Sequence, residues 1–191
     1  MKTLGAAAIL GALAVFPAAA QSHRELGAHE HGRGTLNIAV EGNKVSMELE
    51  VPGMDILGFE HAAKSRKDKT TLEKAQQKLS APLSLFKLPV SAGCQVTESK
   101  VEVETGEHDH ANLEKQGDAA KSSEKEQHHS EFHNQYSLEC TSPANITGIE
   151  FGYFNAFPGA EKLEVNVITP KGQNKFEVTR ARPDLNLAGM I

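Results

Sequence analysis

Nine histidines occur in a chain of 191 residues, and eight of them fall in two short stretches. His23, His29 and His31 sit near the start. His108, His110, His128, His129 and His133 sit past the middle. His29-Glu30-His31 and His108-Asp109-His110 share one pattern, an acid between two imidazoles. In an extended backbone, residues two apart point to the same side, so each pair can face one ion. The intervening Glu30 or Asp109 then serves as a ligand or as a partner that orients the rings. His128-His129 with His133 offers another arrangement: were that segment helical, His129 and His133 would lie one turn apart on one face. Neutral imidazole suits zinc, copper and nickel, and zinc is the leading expectation, with copper second. His61 stands apart in an apolar segment after Phe59-Glu60 and reads first as a partly buried structural histidine.

Catalytic chemistry finds little support. The chain has no Gly-x-Ser-x-Gly, no His-Glu-x-x-His and no phosphate-cradling glycine loop. A hydrolytic zinc centre needs three firmly held ligands and an open position, which histidines in loops do not supply. The expectation is therefore a binding protein, not an enzyme. Cys94 and Cys140 are the only cysteines. In an oxidising compartment such a pair reads most simply as a disulfide, the alternative being thiolate ligation of zinc.

The elements that must position these residues read as β-rich. Leu36, Ile38 and Val40 alternate with polar or small residues, as do Val45, Met47, Leu49 and Val51. Gly42-Asn43 between them is a two-residue hairpin turn that sets Val40 opposite Val45, Ile38 opposite Met47 and Leu36 opposite Leu49. Met54 to Ala63 reads as a short helix or turn. Ser65 to Lys69 reads as a charged break, followed by a helix capped by Thr70 and Glu73, with Leu72, Ala75, Gln76 and Leu79 on one stripe. Further strands are expected from Cys94 towards Val103 and over 132–140, 147–154, 163–168 and 175–180. The result is an α+β, β-rich domain over residues 34–191: an antiparallel sheet or sandwich of about seven strands with two short helices. Residues 104–131 contain no Val, Ile, Tyr or Trp, and read as a disordered His-rich insert.

The first twenty residues carry Lys2, an apolar run from Leu4 to Phe16, and Ala18-Ala19-Ala20. This is the pattern of a cleaved signal peptide, with cleavage expected before Gln21 and residues 21–33 left as a His-containing arm. The run is too short for a span of about 20 apolar residues, so no stable membrane insertion is expected. Removal of Lys2 takes the formal charge from −5 to −6. That balance argues against nucleic acid and anionic membrane surfaces as partners.

Several segments together resemble one known family. They are Ala28-His29-Glu30-His31-Gly32 leading into Leu36 to Gly42, then Val51-Pro52-Gly53-Met54-Asp55-Ile56-Leu57-Gly58-Phe59-Glu60-His61-Ala62, Cys94, the His-rich insert and Cys140. In this the chain is similar to the ZrgA family, across essentially all of the expected mature protein. The resemblance implies periplasmic zinc binding and zinc uptake in a Gram-negative bacterium, with membrane zinc-transport components as partners. It also raises His61 as a possible ligand. The metal set expected is thus His29, His31, His61, His108, Asp109, His110, His128, His129 and His133. The runner-up is an accessory or interaction subunit of a transporter that carries no metal.

Overall fold

The computed structural model describes residues 30–105 and 129–191. The expected signal peptide, His23, His29, His108, Asp109, His110 and His128 lie outside the described residues. The fold is α+β and β-rich, as the sequence predicts.

The hairpin forms as expected. Strands β1 (Arg33–Glu41) and β2 (Lys44–Pro52) pair antiparallel with Val40 opposite Val45, Ile38 opposite Met47 and Leu36 opposite Leu49. All six of these side chains are buried, which fixes the register, because a slip of one residue would turn them all to solvent. Strands β4 (Cys94–Thr105) and β5 (Ser130–Cys140), then β7 (Lys162–Thr169) and β8 (Gly172–Thr179), complete a six-stranded sheet in the order β4-β5-β2-β1-β7-β8. One pairing departs from the antiparallel expectation: β7 lies parallel to β1, with Leu36 beside Val165 and Ile38 beside Val167. A parallel pair needs a crossover, and the chain between β5 and β7 provides it.

The crossover also contributes the central strand of a second sheet, whose two outer strands periodicity missed. This sheet of three strands is built around β6 (Gly148–Phe151), flanked by β3 (Phe86–Lys87) and β9 (Asp184–Asn186). Nine strands are present among the described residues, and β3 and β9, at two and three residues, are too short to show alternation. The strand expected over 147–154 stops at Phe151, and Tyr153–Ala156 is a single helical turn, α4. Likewise α3 is one turn, Pro82–Leu85. Phe86, Phe151, Tyr153, Phe154 and Phe157 form a buried aromatic cluster, with Phe86 and Phe151 edge to face at 5.6 Å between ring centres. Geometry of this kind adds to the burial of large rings.

Two further helices lie between β2 and α3. The first, α1, is Gly53–Leu57 and ends at Gly58 in the left-handed conformation. The second, α2, is Arg66–Leu79, so the expected charged break is in fact its first turn. Its capping box uses Ser65 and Asp68 in place of Thr70 and Glu73: Ser65 Oγ accepts from the Asp68 N–H at 3.0 Å, and Asp68 Oδ2 accepts from the Ser65 N–H at 3.2 Å. Ser65 wins because capping needs an extended residue just before the helix, whereas Thr70 is already inside it. Hydrogen bonding by Ser65, chiefly through its side chain and secondarily through its backbone N–H, also holds the Asp68 carboxyl below its ordinary value.

Cys94 and Cys140 form a disulfide directly across β4 and β5. The insert joins the same two strands at their other end, where Thr105 pairs with Ser130. It is therefore strand pairing that brings the insert's ends together, and the bridge pins the far end of edge strand β4. The strands also extend to Glu104, Thr105, Ser130 and Glu131, which narrows the insert expected over 104–131.

Two outcomes are expected. Ser65→Ala should lower stability by about 1 kcal/mol in chemical denaturation, whereas exposed Thr70→Ala should change it by less than about 0.5 kcal/mol. Replacing both cysteines with Ala should cost on the order of 4 kcal/mol, the chain-entropy value for a loop of about 45 residues. In hydrogen exchange, β4 amides should lose more protection than those of β1 and β7.

Candidate metal centre

Strand direction decides what meets at one end of the main sheet. Strands β1 and β5 both run opposite to β2, so they begin where β2 finishes. Three chain segments therefore converge there: the residues leading into β1, those leading into β5, and those leaving β2 through α1. Each brings one metal-ligating side chain.

From the first segment comes His31, held by a turn in which the Arg33 N–H donates to Glu30 O at 3.1 Å. Gly32 follows with φ +83°, a left-handed conformation that a side chain would strain. Gly32 O accepts from the N–H groups of both Glu161 and Lys162 at the start of β7. The second segment brings His129, immediately before β5. The third carries Glu60, two residues past the Gly58 cap. Gly53, which opens α1, packs directly on Ser130: a Cβ there would overlap Ser130 Oγ. The start of α1 and the start of β5 can approach this closely only because residue 53 has no side chain.

The three side chains meet in one place. His31 Nε2 donates to Glu60 Oε1 at 2.8 Å, and His129 Nδ1 donates to Glu60 Oε2 at 2.8 Å. One atom from each residue lies within 4.8 Å of the others. Ligands about 2.1 Å from a tetrahedral ion stand roughly 3.4 Å apart, so a small adjustment admits zinc. Two imidazoles and a carboxylate form a donor set that zinc accepts, and a fourth position is left for water or a further ligand. Glu60 is only 15% exposed at its side chain, while His31 and His129 are about half and one-third exposed, at 52% and 37%. The carboxylate is thus set into the domain and the imidazoles form the rim.

Asp55 on α1 underlies this arrangement. It is 3% exposed. Its Oδ1 accepts from the Gly32 N–H at 2.8 Å, and its Oδ2 is buried with no hydrogen-bond partner among the described residues. Burial pushes its carboxyl from 3.8 up to about 6, against the lowering effects of the Gly32 hydrogen bond and of nearby His31.

Of the residues singled out in the sequence, His31 and His129 come together. His61 is adjacent in sequence but turned elsewhere: its ring stacks on Phe59 at 4.6 Å and its Nδ1 donates to Ala62 O. His133 sits on β5, not one helical turn from His129, because the chain is extended from Ser130 onward. There its Nε2 is 3.0 Å from Glu131 and 3.6 Å from Glu104, and its Nδ1 is 3.7 Å from Glu50. Glu60 is a candidate ligand that the sequence does not single out, although it lies beside His61 in the segment that carries the family resemblance.

Taken together, fold and site define a β-rich protein with two histidines and one glutamate gathered at the end of its sheet, a group that could hold a cation. The family model of the ZrgA family zinc uptake proteins matches residues 28–187, and the chain belongs to that family. A comparison with curated proteins gives no significant match. No helix among the described residues is long and apolar enough to cross a membrane.

Asp55 gives a stability prediction. The folded carboxyl keeps its proton to about pH 6, and the unfolded one loses it near 3.8. The raised value contributes stability that is fully present below about pH 3.8 and is lost as pH rises through about 6. Between pH 4 and pH 7 this loss amounts to roughly 2–3 kcal/mol. Asp55→Asn should remove it, so the parent and variant denaturation curves, measured with chelator present, should diverge steadily over that range. Parallel curves would show that the burial of Asp55 is relieved in solution.

Proposed function

We propose that this protein captures zinc in the periplasm for uptake, with His31, Glu60 and His129 as its principal site. The observation that carries the reading is the convergence of two imidazoles, from opposite flanks of the chain, on one recessed carboxylate. Membership of a zinc uptake family supports zinc as the cargo. The N-terminal pattern supports export through a cleaved signal peptide. A role in capture, not catalysis, suits a site whose histidines lie at the protein surface.

The remaining histidines are assigned by their positions in the sequence. His29 and His128 are two residues and one residue from its ligands in sequence, and His108, Asp109 and His110 lie in the same insert that ends at His129. These residues act as weaker collecting ligands that feed the ordered site. His61 and His133 stand apart from this cluster, with partners of their own. Zinc then passes to, or arrives from, a membrane zinc-transport component.

Calorimetric titration of the mature protein should show one tight zinc phase followed by weaker ones. His31→Gln with His129→Gln should weaken the tight phase by more than about a hundredfold, since even an outer partner costs 10–100-fold. His108→Gln, His110→Gln and His128→Gln together should leave the tight phase and reduce the weaker ones. Lowering the pH from 7 to 5 should release the zinc, because ligating imidazoles must be unprotonated. A tight phase that survives loss of His31 and His129 would place the site elsewhere. A mature protein that binds no zinc would favour the accessory subunit.

A further inference from the structure

The geometry points to Asp55 as a positioning residue for the zinc site, acting on His31 through the Gly32 N–H and resting on the reading of His31, Glu60 and His129 as ligands. Asp55 does not itself touch the ion's position. Its influence comes from where it is anchored. It sits on α1, the same short element that leads through Gly58 to Glu60. Its carboxylate reaches across to the backbone just after His31, at 2.8 Å from Gly32 N. One side chain therefore joins the segment bearing Glu60 to the segment bearing His31.

The need for such a tie follows from the exposure of His31. A half-exposed histidine in a turn has few side-chain contacts to fix it, so its ligand geometry depends on its backbone. That backbone is secured on both sides of Gly32. The carbonyl accepts from Glu161 and Lys162, and the N–H is taken by Asp55. The first set ties the turn to β7, and the second ties its backbone to α1, which leads through Gly58 to Glu60. Asp55 is itself wedged in place, with Gly159 so close to its backbone that a Cβ there would stand 2.7 Å from Asp55 O. A buried carboxylate with one oxygen unpartnered is costly, and an aliphatic residue would suit the packing better. The hydrogen bond to Gly32 is what the carboxylate supplies in exchange.

The test compares zinc affinity in Asp55→Ala and Asp55→Asn, measured on the whole mature protein by competition with a chelating dye. Asn keeps an oxygen for the Gly32 N–H, whereas Ala does not. Asp55→Ala should bind zinc roughly 10–100-fold more weakly, the loss typical of a group that orients a ligand. Asp55→Asn should stay within about threefold of the parent. The cobalt-substituted protein should report the same ordering, with visible absorption bands changed in Asp55→Ala and retained in Asp55→Asn. Leu138→Ala, a buried change towards the other end of β5, serves as a control that lowers stability without weakening zinc. Asp55→Ser supplies a second variant should Asp55→Ala fold poorly. Parent-like affinity in Asp55→Ala or Asp55→Ser overturns the inference while leaving the zinc site standing. Equal losses in Asp55→Asn and Asp55→Ala overturn it in favour of the charge acting directly on the ion. A parent with no tight zinc phase overturns the ligand assignment, and this inference with it.

Discussion

The direction of three adjacent strands governs everything that meets at the metal centre. With β2 between β1 and β5 and antiparallel to both, the entries to β1 and β5 and the exit from β2 must fall at one end of the sheet. The ladder leaves little freedom in this. Ile38, Met47 and Tyr136, and Val40, Val45 and Leu138, follow one another across the three strands on the buried face. A slip of one residue in any of them would expose a row of core side chains. The hydrophobic register thus also fixes the separation of His31, Glu60 and His129. Burial energy along the strands sets geometry at their ends.

Local detail then refines what the register roughly assigns. Gly53 lets α1 begin against Ser130, and Gly32 lets the chain turn sharply between His31 and β1. Arg180, just beyond β8, caps the carbonyls of Phe154, Phe157, Pro158 and Ala160, which secures the loop that backs Asp55. Guanidinium suits this because it presents several donors in a fixed fork. The site is supported from below by backbone contacts, while its upper rim is two imidazoles open to solvent.

Much of the frame was legible in the sequence because strong alternation has one good solution. The hairpin from Leu36 to Val51 was readable down to its cross-strand pairs, and so was the pairing of Cys94 with Cys140. Short elements were not: β3, β9, α3 and α4 are stabilised by the aromatic cluster they pack into, and two to four residues carry no period. The parallel contact of β1 with β7 was hidden for a different reason, since a crossover leaves no local mark. The site itself was half legible. Clustered histidines pointed to metal, and His31 and His129 were among them. Glu60 gave no sign by spacing, being 29 residues from one partner and 69 from the other. Its role arises only when β2 and β5 are side by side. The i, i+4 relation of His129 and His133 failed because Phe132, Tyr136 and Leu138 impose a strand on that segment.

The covalent bridge lies at the opposite end of the β4–β5 hairpin from the insert and from His129. Ten residues of extended chain separate Cys140 from Ser130, a distance of about 33 Å. The disulfide and the candidate metal centre are therefore separated by the length of the β4–β5 hairpin. Among the described residues, the bridge is remote from the cluster of His31, Glu60 and His129. Once the hairpin has formed, the sulfurs and the His31, Glu60 and His129 cluster occupy opposite ends of it, so a change at one end need not disturb the other.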